Sequence, residues 1–225
     1  VSTRTLFIHI PKNAGTSISA SCPSVATSPR YMTEKLISVE KMSVHSPYTM
    51  IPTSIQHKHI PYSYLDRNKI DRFDRFFAVV RNPWSRLVSL YNYADAIYPR
   101  VNKTWYGQEK ISWEEYLNRM DSFRINSSYY WQHPYDQWGT QIDWVSFGDK
   151  VKCDILRYEN IQDDLNDYFD KEIKLEKENV GVYKRHYTEY YTEEQKKKVA
   201  DWFRLDIERW GFSFESGATR NYWTQ

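Results

Sequence analysis

Three short apolar runs, each leading into a segment with helical spacing, predict an α/β fold: a central, mainly parallel β-sheet flanked by helices. The runs are Thr5 to Ile10 (TLFIHI), Arg75 to Val80 (RFFAVV) and Lys152 to Tyr158 (KCDILRY). No repeat and no Gly/Ser- or Pro-rich linker divides the chain, so residues 1–225 are expected to form a single domain. At 225 residues it is long enough to bury a sizeable core.

The elements follow in order. TLFIHI is β-rich and stopped by Pro11, and residues 15–22 are expected to open a helix. The stretch from Pro23 to Pro61 is rich in Ser, Thr and Pro, with one helix expected near residues 33–43. RFFAVV runs into Asn82-Pro83, an N-cap followed by a proline at the first helical position. Trp84, Leu87, Val88 and Tyr91 then fall at i, i+3, i+4 and i+7, giving one apolar helical face. Ser112 caps a helix expected to reach Met120, and residues 121–148 read as aromatic and irregular. KCDILRY is the third strand, with a helix from Glu159 to Phe169. Thr192 and Gln195 have the spacing of a capping box; their helix is expected to run to about Arg209, with Gly211 just past its end. The mixed-sign runs Lys171 to Glu178 and Glu193 to Lys198 read as exposed faces.

Composition excludes several classes. Lys+Arg 31 against Asp+Glu 29 gives a net charge of +2, no global electrostatic case for nucleic acid. The longest apolar run, Phe76 to Val80, is far short of the ~20 residues of a membrane span. Cys22 and Cys153 make no disulfide framework and lack metal-ligand spacing; they read as core thiols, with a single bridge as the alternative. Tyr 19, Phe 10 and Trp 9 against Gly 7 argue against disorder and low complexity.

Ligands of parallel sheets bind beyond the carboxyl ends of the strands, which directs attention to two strand-to-helix corners. The first is Pro11-Lys12-Asn13-Ala14-Gly15-Thr16-Ser17. Gly15, the only glycine in the first 106 residues, allows a positive φ and close approach of the backbone to a ligand. The helix N-terminus behind it offers N–H groups to an anion, Thr16 and Ser17 add hydroxyls, and Lys12 adds a mobile charge. The second corner is Arg81-Asn82-Pro83-Trp84-Ser85-Arg86-Leu87-Val88-Ser89. Arg81 can hold a phosphate through two hydrogen bonds, and Ser89, about two helical turns on, can face the same place. Arg86 reads as a surface charge, with a place beside Arg81 and Ser89 as the alternative. Separately, the corners read equally as a tight βα turn with a solvated lysine and a well-capped helix after an arginine. Together they would clamp a ligand carrying two separate phosphates. A nucleoside triphosphatase or kinase is poorly supported, because Lys12 precedes its glycine and the second strand ends in Arg81-Asn82 where a metal-binding Asp would be expected.

Phe7 to Ser17 (FIHIPKNAGTS) resembles the 5′-phosphosulfate loop of sulfotransferases that use 3′-phosphoadenosine 5′-phosphosulfate (PAPS), and Phe76 to Tyr91 (FFAVVRNPWSRLVSLY) resembles their 3′-phosphate motif. The likeness is to the carbohydrate and bacterial-type branch, and extends to Ile155 to Asn160 (ILRYEN) and Tyr187 to Phe214. It implies the P-loop-kinase-like sulfotransferase fold, with PAPS as sulfuryl donor and no metal. By the same resemblance Lys12, Asn13, Ala14, Gly15, Thr16 and Ser17 would surround the 5′-phosphosulfate, with Arg81 and Ser89 on the 3′-phosphate. Lys184-Arg185-His186-Tyr187 would close over the nucleotide, although this segment departs from the family's Arg-Lys-Gly form and reads equally as a solvated turn.

An acceptor hydroxyl needs a general base, usually His or Glu. Of the six histidines, His9 lies inside the first strand and reads as structural. A Lys-His pair at about this distance before the 3′ motif carries the base in the family, which favours His59, with His57 as runner-up. A metal site from His45, His57 and His59 lacks a suitably spaced Cys or carboxylate. The expected partner is a glycan or small-molecule acceptor, with the Trp/Tyr-rich residues 91–147 as its binding surface. The alternatives are a non-catalytic nucleotide- or glycan-binding module and, behind it, an ATP-dependent kinase. Two cysteines and no visible anchor favour a cytoplasmic bacterial or viral enzyme over a trimmed enzyme of the Golgi lumen. The sequons at Asn102 and Asn126 matter only in the second case.

Overall fold

The computed structural model describes residues 3–22, 26–27, 61–97, 111–125, 139–176 and 185–220. Its regular elements are β1 (Thr5–Ile8), α1 (Gly15–Ser21), β2 (Ala26–Thr27), α2 (Arg67–Ile70), β3 (Arg75–Val80), α3 (Pro83–Ile97), α4 (Trp113–Ile125) and α5 (Gln141–Val145). There follow β4 (Ser146–Phe147), β5 (Lys150–Val151), β6 (Asp154–Arg157), α6 (Ile161–Phe169), α7 (Glu193–Trp202) and α8 (Arg204–Trp210). The main sheet has the order β2-β1-β3-β6 and every pairing in it is parallel.

Period-two alternation along these strands explains the layers. Leu6, Ile8, Ala78, Val80 and Ile155 point into one apolar cluster, which includes residues of α3, α4, α5, α7 and α8. Phe7, Phe77, Val79 and Leu156 point into a second, closed by Ile18 of α1 and by Leu165 and Tyr168 of α6. A strand buried on both faces reads as a continuous apolar run, as RFFAVV does. Cys153 and Cys22 are buried in the first and second clusters respectively, as free thiols, so the bridge does not form. Burial raises both thiols above the ordinary range.

The helix boundaries follow local chemistry. Asn82 Oδ1 accepts from Trp84 N at 3.1 Å and Ser85 N at 3.2 Å, capping α3. Thr192 Oγ1 accepts from Gln195 N at 3.2 Å while Gln195 Oε1 accepts from Thr192 N at 3.1 Å, the reciprocal box that starts α7. Gly211 ends α8 with φ 71° and sends its N–H to Ile207 O at 2.8 Å.

Several boundaries differ from expectation. The first strand stops at Ile8, because Ile10 N turns back to Ile8 O at 3.1 Å. The third apolar run pairs only over Asp154–Arg157. Ser112 caps α4 through Glu115 N at 3.1 Å as read, but the helix reaches Ile125, since no proline or glycine interrupts it at Met120. Residues 141–151 are regular: a five-residue helix and the antiparallel pair β4–β5. Elements this short leave no measurable periodicity in a sequence. The helix expected to run unbroken to Arg209 is divided at Phe203, with φ −110° and ψ 25°. The helix expected near 33–43 lies outside the described residues. No described helix is long and apolar enough to cross a membrane.

Candidate active site at the two strand-to-helix corners

From β1 the chain passes through α1 to β2 on one side, then returns to place β3 on the other side of β1. The carboxyl ends of β1 and β3 therefore flank the point where strand order reverses, the place where such sheets open a crevice. Both corners stand at that point.

Residues 11–14 form the first corner. Lys12 has φ 67° and Ala14 has φ 60°, ψ 14°, with Asn13 on the negative side between them. Alternating hand along a short segment turns successive N–H groups toward one centre, a nest for an anion. Two buried guanidiniums fix the other side of the loop. Arg86 Nε donates to Pro11 O at 3.1 Å, and Arg81 NH1 donates to Lys12 O at 3.0 Å. Because a trans peptide sets C=O and N–H on opposite edges, these bonds aim the N–H groups of Lys12 and Asn13 away from both arginines. The loop thus turns its N–H edge away from two fixed positive charges.

Gly15 differs from expectation. Its φ is not positive; the left-handed positions are Lys12 and Ala14. Its missing side chain matters because the His9 ring occupies the space, where a Cβ would lie 1.8 Å from His9 Nε2. His9 is buried and stacks on Phe7 with centroids 5.5 Å apart, so its ring has nowhere to retreat. Gly15→Ala is expected to cost about 1–3 kcal/mol of stability, the scale of overpacking. His9→Ala placed behind it should return part of that loss, read as paired urea midpoints; a Gly15→Ala variant as stable as the parent would overturn the packing account.

At the second corner Arg81 is buried, its guanidinium 4.1 Å from the Tyr158 ring centroid. Its Nε and NH2 donate to Ser85 Oγ at 3.1 and 2.8 Å. With NH1 on Lys12 O, Arg81 links the corners directly, and these contacts leave a guanidinium further N–H groups for a ligand. Ser89 is buried one turn beyond Ser85 on the same side of α3. Asn82 ties the corner to the C-terminal segment, donating from Nδ2 to Ser213 O at 2.7 Å and Ser216 O at 2.8 Å. Its backbone N–H donates to Glu159 Oε1 at 2.8 Å. Glu159 is exposed as a residue, but its carboxyl is turned inward. Burial raises that carboxyl above the usual range, opposed by the N–H groups it accepts and by the Arg81 charge.

Arg86 is not the surface charge the sequence suggests. It is 1% exposed, with NH1 donating to Gly139 O at 2.9 Å as well as Nε to Pro11 O. Gln141 and Asp206, both fully buried, were not legible as site residues either. Gln141 Oε1 accepts from Asn13 Nδ2 at 2.7 Å and Arg81 N at 2.9 Å, and Nε2 donates to Arg81 O at 2.8 Å. Asp206 accepts from Gln141 N at 2.8 Å and Ile142 N at 2.9 Å. Burial pushes the Asp206 carboxyl up to about 6, opposed by those N–H groups and by the Arg86 charge. Asp206 does leave one sequence signal: it stands on the stripe Phe203, Asp206, Ile207, Trp210, a carboxylate on an otherwise apolar helix face. Gln141 leaves none.

Lys12, Asn13, Ala14, Gly15, Thr16, Ser17, Arg81 and Ser89 are thus all within the two corner segments, with Thr16 exposed and Ser17 buried. Arg185 places its guanidinium 4.1 Å from the ring centroid of Tyr190, whose hydroxyl accepts from Asn92 Nδ2 of α3 at 3.1 Å. Lys184, His57 and His59 fall outside the described residues. Of the aromatic stretch expected to bind the acceptor, Tyr91, Trp113, Tyr116 and Trp144 are buried in the core, where their area is used for packing.

The model of the sulfotransferase family matches residues 2–213. No curated protein and no solved structure matches the chain.

Proposed function

The chain belongs to the sulfotransferase family, and from that premise we propose that it moves a sulfuryl group in line from PAPS to a hydroxyl of a carbohydrate or other polar acceptor. Family membership supports sulfuryl transfer in general; the donor, acceptor and residue roles are our reading. The observation that carries it is the loop at 11–14, its N–H edge turned away from the Arg81 and Arg86 guanidiniums, beside the Arg81–Ser85 corner at the switch point.

Those donors suit a nucleotide that carries anionic groups at both its 5′ and 3′ positions. The nest and Lys12 suit the 5′-phosphosulfate, and the remaining N–H groups of Arg81, with Ser89, suit the 3′-phosphate. The donor supplies the sulfuryl group: its S–O bond to the 5′-phosphate breaks as an S–O bond to the acceptor oxygen forms, and the acceptor proton passes to an imidazole nitrogen. Charge grows on the departing phosphate, so a lysine beside it stabilises the transition state more than the ground state. His59 is our choice of base, with His57 second.

Thermal melting with adenosine 3′,5′-bisphosphate, and separately with ATP and magnesium, tests the ligand; label transfer from PAPS to glycans, phenols and peptides tests the reaction. We expect stabilisation by the bisphosphate without magnesium, and transfer that His59→Ala lowers by about 10²-fold or more while His57→Ala retains it. Stabilisation by ATP and magnesium alone would sink the proposal. Binding of the bisphosphate with no label reaching any acceptor identifies a non-catalytic module instead.

A further inference from the structure

Gln141 holds both corners through one side chain. It pairs with the Arg81 backbone on both sides, Oε1 accepting its N–H at 2.9 Å and Nε2 donating to its C=O at 2.8 Å, as a neighbouring strand's peptide would. The same Oε1 accepts from Asn13 Nδ2, whose other bond runs to Val79 O at 2.6 Å. One amide therefore extends the sheet past the end of β3 and fastens the first loop to that extension. The amide is itself fixed from outside: Asp206 Oδ2 accepts from Gln141 N at 2.8 Å and from Nε2 at 3.3 Å, and Oδ1 accepts from Ile142 N at 2.9 Å. Gln141 is fully buried, so its place is behind the site. Filling that volume would require only an apolar side chain of the same size, and the hydrogen-bond pattern asks for more.

We propose that Gln141 is a positioning residue that fixes the distance between the two phosphate-binding corners, so that a nucleotide carrying phosphates at both ends depends on its amide far more than a nucleotide carrying either phosphate alone. This rests on the preceding assignment of the corners to a 5′- and a 3′-phosphate. Each corner keeps its own donors without Gln141: the nest and Lys12 at one, the Arg81 guanidinium at the other. What is lost is the amide link that sets their spacing, leaving only the Arg81 and Arg86 bonds to the loop carbonyls to hold them together. A ligand that engages two sites at once gains from the second only while the geometry allows both contacts together.

The test is calorimetric titration of the full chain with adenosine 3′,5′-bisphosphate, adenosine 5′-monophosphate and adenosine 3′-monophosphate. In Gln141→Met, which keeps the volume and removes the amide, bisphosphate affinity should fall by about tenfold or more, while each monophosphate stays within about threefold. Asp206→Asn, which leaves the Gln141 side chain in place and loosens its anchor, should shift the three affinities in the same pattern by a smaller factor. If Gln141→Met does not fold, Asp206→Asn decides. Equal losses for all three nucleotides, or an unchanged bisphosphate affinity, overturn the positioning role. The parent protein tests the underlying assignment separately: if it binds the bisphosphate no better than the monophosphates, the two-phosphate site falls, and this inference with it.

Discussion

Replacing Arg86 with methionine is expected to remove about 2–6 kcal/mol of folding stability, the scale of leaving two buried carbonyls without their donors. Net stabilities of domains are about 5–15 kcal/mol, so the variant should unfold at much lower urea or be folded only in part. Two sources combine. Pro11 O and Gly139 O each lose a buried donor, at 3.1 and 2.9 Å in the parent, and a buried unpaired acceptor retains its full desolvation cost. Asp206, whose carboxyl burial pushes up to about 6, loses the cation whose field favours its ionised form. The sources can be separated. In an Asp206→Asn background no buried charge is left behind, so Arg86→Met should cost less there; the difference is the coupling between the two groups. Arg86→Lys should recover only part of the loss, because an ammonium lacks the fork that reaches two divergent carbonyls. A loss below about 1 kcal/mol in the single variant would mean that relaxation or water replaces both bonds.

Arg86 also marks where sequence reading stops. The fold class was legible because its evidence is local: RFFAVV is apolar on both faces, and Asn82-Pro83, Thr192 with Gln195, and Gly211 each carry their own capping chemistry. The corner segments were legible because strand, turn and helix lie consecutively in the chain. The burial of Arg86 is not local, because it depends on Pro11 and Gly139, 75 and 53 residues away. Gln141 sits 128 residues from Asn13, in a helix of five residues that leaves no periodic trace. Gly15 lacks the positive φ its place in the turn suggests: the left-handed strain falls on Lys12 and Ala14, and the glycine makes room for a ring. Long-range polar contacts thus fixed what motif and period could not convey, which partners hold the loop in its active shape.

Lys12 carries the larger functional effect. Lys12→Gly is expected to lower sulfuryl transfer by about 10²-fold or more, the scale of removing one group that stabilises developing charge. Adenosine 3′,5′-bisphosphate should lose far less affinity, since the nest and Arg81 remain. Glycine is chosen for the backbone. Lys12 has φ 67°, a region that costs a non-glycine residue roughly 1–2 kcal/mol. Glycine relieves that strain while adding roughly 0.5–1 kcal/mol of chain entropy loss. The variant should therefore melt at or slightly above the parent temperature while losing turnover. Lys12→Ala keeps the strain and should lose turnover equally without the gain in stability. These opposed signs separate the ammonium's chemistry from the loop's shape, because damage to the loop would lower stability and bisphosphate binding along with turnover. If Lys12→Gly transfers sulfate at a near-parent rate, the ammonium is not the group that meets the departing phosphate. The charge would then have to come from Arg81, whose head already reaches the Lys12 carbonyl at 3.0 Å.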